Sequence, residues 1–308
     1  MKIDGMKFIL CVILIECQYV MQYSIAYITY CPCMGRLGNQ IEQFLGMIAF
    51  AIRINRTLVL PPWNIMSSLK ANFVPFENLF NITKLLLIHQ FVSQENFMLN
   101  KAPLLWPTTK RTAICFRPRP GPLNNDCNAK DGNPFKEFWD TFNVSFTDSS
   151  FYFPLSADDP KEEWDRLFPP NIYPVLAFVG PPSSFPVRPE NRIFHRYLEW
   201  NSHINVVTES FISRWLEKPI VGVHLRNGED FVKHVVWKPN RKPEEDMALL
   251  GRIDLAILNC VSTYSASIKR ERDVNNLPSM FFGLTNENQR DLEVLCNSTG
   301  DTKSLWWS

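Results

Sequence analysis

The chain reads as an α/β protein with a parallel sheet, and three stretches carry that reading. The extended run Tyr27-Ile28-Thr29-Tyr30 leads into a glycine-bearing turn, Gly35-Arg36-Leu37-Gly38-Asn39-Gln40, and then an apolar-periodic stretch from Ile41. Thr57-Leu58-Val59-Leu60, stopped by Pro61-Pro62, supplies the next buried strand, so strand, turn, helix and strand make one βαβ unit. Far downstream, Val221-Gly222-Val223 is a strand that runs into His224-x-Arg226-x-Gly228. The glycine turn and the arginine strand read as two halves of a cleft for a phosphorylated ligand.

At the amino terminus, Lys2 and Lys7 precede the apolar run Phe8 to Ile15, and Ser24-x-Ala26 fits a small-x-small cleavage site. That is the layout of a secretory signal peptide over residues 1–26. A spanning helix needs roughly 20 apolar residues. This run is shorter and is followed by Glu16 and Gln18, so no membrane span is expected.

After the glycine turn, apolar residues at Ile41, Phe44, Leu45, Ile48, Ala51 and Ile52 keep helical spacing. Trp63 to Pro170 is mixed, with aromatic-rich loops around Phe135 and Phe138-Trp139, and Pro174 to Gly180 holds another buried strand. Only thirty residues separate His224 from Asp254, which precedes the apolar strand Leu255-Ala256-Ile257-Leu258. That leaves room for about one βαβ crossover, so the second region reads as curtailed. Ser262 to Asp273 reads as a helix that begins apolar and ends charged.

A length of 308 residues suits two domains or one large one, and 45% hydrophobic content can bury a real core. Lys+Arg 32 against Asp+Glu 31 leaves no electrostatic footprint for nucleic acid. With 23 prolines and 12 glycines the chain is loop-rich but ordered.

Removal of the signal peptide takes Cys11 and Cys17, leaving Cys31, Cys33, Cys115, Cys127, Cys260 and Cys296. An even number in an oxidising compartment suggests disulfides. Cys115 and Cys127 bracket a proline-rich loop, read as a closed hairpin, and Cys31-Pro32-Cys33 pairs locally or holds a metal, although its spacing matches no zinc pattern. Sequons at Asn55, Asn81, Asn143 and Asn297 agree with a secretory route.

Side chains at i and i+2 of a strand share a face, which puts His224 and Arg226 together at the strand end. Arg226 either grips phosphate oxygens bidentately or pairs with Glu229 or Asp230. Asn39 caps its helix or faces a ligand. Asp254, and Ser262 with Thr263 and Tyr264, have the same two readings: ordering or capping the backbone, or contacting a nucleotide. No dinucleotide fingerprint, P-loop, Asp-x-Asp pair or Gly-x-Ser-x-Gly elbow occurs, which disfavours metal-dependent and serine-nucleophile chemistry.

Several stretches together resemble the GDP-fucose protein O-fucosyltransferase 1 family: Tyr30 to Gln40, Asn55 to Trp63, Gly132 to Phe135 with Phe138 to Asp140, and Val221 to Arg226. Asn259 to Ser262, Lys269 to Asp273 and Phe281 to Gly283 continue it, so the likeness covers roughly Tyr27 to Gly283. The resemblance implies a GT-B-like fold of two Rossmann-like domains facing a cleft, 27–215 and a truncated 216–284, followed by a divergent tail, 285–308. It implies an inverting transfer of fucose from GDP-fucose to Ser or Thr of folded EGF-like repeats, as on Notch, in the endoplasmic reticulum lumen, with no obligatory metal or cofactor. Carried over by motif, the donor-binding positions are Arg36, Gly38, Asn39, His224, Arg226, Asp254, Ser262, Thr263 and Tyr264, with Arg226 and Asn39 as catalytic residues.

The chain departs from the family in three places. Phe231 to Arg252 replaces a longer segment, leaving Cys260 without its usual partner. Ser262-Thr263-Tyr264 stands where Ser-Ser-Phe is usual. Leu284 to Ser308 does not match and shows no C-terminal retrieval tetrapeptide. Two alternatives accompany the main expectation: an impaired variant that only binds EGF repeats, and a sugar-directed fucosyltransferase.

Overall fold

The computed structural model describes residues 26–65, 71–224, 242–259 and 262–281. The expected signal peptide (before residue 26), Arg226, Cys260, Cys296, Asn297 and the divergent tail lie outside the described residues. Contacts divide the chain into two compact units. One contains the residues up to Tyr30, Phe50–Leu60 and Gln90–Val179; the other contains Cys31–Ala49, Pro61–His89 and the residues from Gly180 onward. Helix α1, Leu37–Ile54, contributes residues to both.

The first unit is a six-stranded parallel sheet. Its strands are β1 (Tyr27–Tyr30), β2 (Thr57–Leu60), β3 (Phe91–Ser93), β4 (Thr112–Cys115), β5 (Asp148–Phe151) and β6 (Val175–Phe178), in the order β3-β2-β1-β6-β4-β5. All residues of β1, β2 and β6 are buried, as strands covered on both faces require. The chain steps outward from β1 to β2 to β3 and then crosses to the other side. The reversal falls between β1 and β6, and ligands of such sheets bind outside the carboxyl ends of the strands at that point. The glycine turn follows β1 directly.

Helices α2 (Gln94–Asn100), α3 (Ala102–Leu105), α4 (Phe135–Thr141) and α5 (Lys161–Leu167) accompany this sheet. Ser93 caps α2 by accepting the Asn96 N–H. Phe50 packs edge-on against Trp164 and Phe178 at 4.8 and 5.8 Å between ring centroids. Arg56 is buried, and its guanidinium donates to the carbonyls of Phe168 and Tyr173. A Cys115–Cys127 disulfide is present, inside an apolar cluster with Ala113, Ala129 and Val179. The expected hairpin there is corrected: residues 116–127 contain no strand, because prolines at 118, 120 and 122 remove the ladder donors.

In the second unit, β7 (Val221–Val223), β8 (Leu255–Leu258) and β9 (Ser279–Phe281) form a parallel sheet in that order. Its helices are α6 (Ser202–Trp215), α7 (Pro243–Leu250) and α8 (Thr263–Val274). The expectation of about one crossover is corrected to two, α7 between β7 and β8 and α8 between β8 and β9. The missed strand β9 has three residues, too few for a periodic signal. Around α1, Phe44 sits 5.8 Å from Trp63, which stacks through Phe76 and Phe80 to Trp200. Two short antiparallel pairs, Trp63–Asn64 with Phe73–Val74 and Phe80–Asn81 with Glu199–Trp200, carry those rings.

Candidate active site

Gly35 opens the turn at φ +77°, a conformation that strains any residue with a Cβ, and a Cβ there would also meet the Asn39 side chain at 2.1 Å. Gln40, buried one turn later, grips the backbone of Asn64. Its Oε1 accepts the Asn64 N–H at 2.9 Å, and its Nε2 donates to the Asn64 carbonyl at 2.9 Å and the Gly35 carbonyl at 3.3 Å. The turn is thereby tied both to the next strand and to its own helix. Arg36, at the tip, is exposed.

Gly38 is buried where the first residues of α8 come closest. A Cβ there would lie 2.7 Å from the Tyr264 nitrogen and 2.9 Å from the Thr263 carbonyl carbon, both backbone atoms that cannot swing away. Only a glycine allows that approach. Asn39 and Thr263 complete the junction: the Thr263 hydroxyl lies 2.6 Å from Asn39 Oδ1 and donates to it. The N-terminal turns of α1 and α8 therefore touch. Each presents N–H groups that have no partner within their own helix and the positive end of a helix dipole, so their junction favours an anion.

Ser262 occupies the N-cap position of α8 but makes no capping hydrogen bond with its side chain. The hydroxyl is thus not spent on capping α8. Ser265, one turn into the helix, accepts the Asn259 N–H at 3.0 Å and lies 2.6 Å from His224 Nδ1. Which of the two groups donates in the Ser265–His224 bond is set by the imidazole tautomer. The imidazole also packs on the Tyr264 ring, 4.6 Å between centroids. The Tyr264 hydroxyl donates to the Pro243 carbonyl at 2.6 Å, which supplies the partner that a tyrosine needs where phenylalanine is usual.

The geometry therefore gathers Gly38, Asn39, His224, Ser262, Thr263 and Tyr264, with Arg36 exposed at the turn. Asp254 is not gathered with them. It precedes β8, where its Oδ2 accepts the Ile220 N–H at 2.8 Å and its Oδ1 lies 3.8 Å from Lys218. It pins the amino ends of β7 and β8, whereas His224 and Ser262 follow the carboxyl ends.

Residues outside the expected site hold it in place. Glu42, 2% exposed, accepts from the Arg270 guanidinium with one oxygen and from the Val187 N–H at 3.1 Å with the other. Arg272, wholly buried, donates to the carbonyls of Leu250, Ile253, Asp254 and Pro278. Glu271 receives the Trp200 indole N–H at 3.0 Å on both oxygens, and burial pushes its carboxyl up to about 7. Burial, with Arg270 nearby, holds the His195 imidazole well below the usual histidine range. Glu42, the one carboxylate in helix α1, was the visible signal for this cluster.

Among the described residues two disulfides are present, Cys31–Cys33 and Cys115–Cys127. Asn55 and Asn143 are exposed, while Asn81 Oδ1 accepts the N–H and hydroxyl of Thr83. Among the described residues, no helix is long and apolar enough to cross a membrane, and no group of three His, Cys, Asp or Glu is placed to hold a metal ion.

A parallel α/β architecture with helix N-termini meeting at a glycine turn defines the class of α/β proteins that bind phosphorylated ligands. Comparison with known proteins narrows this. The family model for GDP-fucose protein O-fucosyltransferase matches residues 27–244. GDP-fucose protein O-fucosyltransferase 1 of Caenorhabditis elegans is 32% identical over 350 residues, covering 84% of this chain and 90% of that protein. The solved structure of POFUT1 with GDP-fucose is 30% identical, with a TM-score of 0.79, over 84% of this chain and 99% of the other; that with GDP is 31% identical, TM-score 0.77. The chain belongs to the GDP-fucose protein O-fucosyltransferase family, and it is a transferase.

Proposed function

We propose that this chain moves fucose from GDP-fucose to serine or threonine hydroxyls of folded EGF-like repeats, on secreted or membrane proteins such as Notch, in the endoplasmic reticulum lumen. The contact between Gly38 and the backbone of Thr263 and Tyr264 carries the reading, because it brings together two helix N-termini suited to a diphosphate. Arg36, Gly38, Asn39, His224, Arg226, Ser262, Thr263 and Tyr264 hold the donor. Asp254 acts more remotely, by fixing the strands that deliver His224 and Ser262.

In the transfer, the acceptor oxygen bonds to the fucose anomeric carbon from the face opposite the diphosphate, and GDP departs with the bonding electron pair. Charge grows on the β-phosphate, where Arg226 and the helix N-termini stabilise it. Losing one such preorganised donor typically costs about 2.7–4 kcal/mol in barrier height. Asn39 has one lone pair of its Oδ1 engaged by Thr263, and its amide N–H groups can donate to the acceptor oxygen. It orients that oxygen and is not a base. The acceptor oxygen releases its proton to solvent as the new bond forms, and transfer is driven by the leaving group.

Calorimetry with GDP, followed by a transfer assay with a folded EGF repeat beside a free galactoside, tests this reading. Micromolar GDP binding, about −8 kcal/mol, and preference for the EGF repeat are expected. Preference for the galactoside overturns the acceptor assignment. A second reading, a repeat-binding module without turnover, is favoured by one observation: the alignment to the worm relative spans 350 residues, more than this chain's 308, so the relative carries stretches absent here. GDP binding without transfer supports that reading.

A further inference from the structure

We propose that Glu42 and Arg270 are positioning residues that set the spacing of the two helix N-termini and thereby the chain's selectivity for a nucleoside diphosphate. The proposal rests on the donor-site reading above and assigns the device that holds that site in register.

One face of α1 carries Gly38, Glu42 and Gly46 at four-residue intervals, and each meets another part of the second unit. Gly38 abuts Thr263 and Tyr264, Glu42 meets Arg270, and Gly46 abuts Ser183, which donates its hydroxyl to the Gln43 carbonyl. Thr263 and Arg270 lie on one helix, so α1 and α8 join at two points, one at their N-termini and one beyond. Both helices start at the site. Neighbouring like dipole ends repel, and an anion at the junction relieves that repulsion. Without the anion, the Asn39–Thr263 bond is the tie at the starts, and Glu42–Arg270 adds a second tie away from them.

Glu42 is suited to this task. It is nearly inaccessible and uses both oxygens, one on Arg270 and one on the Val187 N–H. Arg270 is itself only 13% exposed in its side chain. A buried ion pair of this kind is weak evidence of stability but good evidence of a fixed register.

The experiment compares GDP and GMP binding by calorimetry for the full chain and for Glu42→Gln, Glu42→Asp and Arg270→Lys, below the melting temperature of each. The expected result is at least a tenfold rise in the GDP Kd for Glu42→Gln and Glu42→Asp with a much smaller rise for GMP, so that the ratio between the two nucleotides collapses. Arg270→Lys retains the charge and is expected to fall between. A merely structural pair would lower Tm and leave the ratio unchanged, which overturns the proposal. Glu42→Asp keeps the carboxylate and serves if Glu42→Gln does not fold. Failure of the unmodified chain to bind GDP overturns the donor-site reading instead, and this inference with it.

Discussion

Thr263 gives its hydroxyl hydrogen to Asn39 across 2.6 Å, linking two residues 224 positions apart in the chain. The bond occupies one acceptor site of Asn39, and it joins the two helices at their starts.

Replacing that hydroxyl with a methyl in Thr263→Val keeps the shape and removes the bond. A typical hydrogen bond contributes about 1 kcal/mol net, so kcat/KM for GDP-fucose should fall about tenfold at most, with little change in Tm. Steady-state kinetics beside a melting curve check this. Unaltered kcat/KM would show that Asn39 needs no restraint.

Gly38→Ala inserts a methyl group where backbone atoms of α8 lie 2.7–2.9 Å away. Overpacking of this kind typically costs about 1–3 kcal/mol. The same shift spreads the two helix starts, so GDP affinity should fall together with stability. Denaturant melts and calorimetry on one preparation read both.

Glu271 makes stability depend on pH. Its carboxyl titrates near 7 in the folded chain, raised from an ordinary value of 4.5 by burial. Between those values the folded state holds a proton that the unfolded state has released. The contribution is therefore complete below pH 4.5 and is lost as pH rises through 7, by about 3 kcal/mol at most. His195 has the opposite sign: its depressed imidazole loses stability as pH falls below the ordinary value of 6.5. Urea melts of the wild type and Glu271→Gln from pH 5 to 8 isolate the first effect in their difference. The wild type should lose ground steadily to the variant as pH rises, and parallel curves would refute it.

Arg272→Ala leaves four carbonyl groups without the buried guanidinium that serves them. An unsatisfied buried polar group costs about 1–3 kcal/mol, so a loss of more than about 3 kcal/mol is expected. Poor folding should be visible in hydrogen exchange of β8 and β9 before β1 and β2. Uniform loss of protection across both sheets would contradict this.

Much of the architecture was legible. The βαβ unit at Tyr27–Leu60 announced itself through buried apolar strands, helical spacing and a glycine turn, and Leu255–Leu258 through an unbroken apolar run. The helix N-terminus at Thr263 was visible as a Ser-Thr pair after a strand. Strand β9 was not, because Ser279–Phe281 is three residues long and its pairing to β8 is tertiary. The role of Lys269 to Asp273 was equally hidden. Its charges resemble a solvated helix end, yet Arg270 and Glu271 turn inward to partners remote in sequence and Arg272 to the carbonyls around β8 and β9. Asp254 shows the converse: a carboxylate beside a strand suggested a ligand, and its hydrogen bond goes to the neighbouring backbone.

The pairing of Gly38 and Glu42 with the far end of the chain also imposes an order in time. Glu42 leaves the ribosome 228 residues ahead of Arg270, about 11–46 seconds at 5–20 residues per second. Through that interval the glycine turn has its own helix but not its opposite wall. A chain cut short before Thr263 therefore retains the most recognisable motif of the family with no second helix start to share an anion.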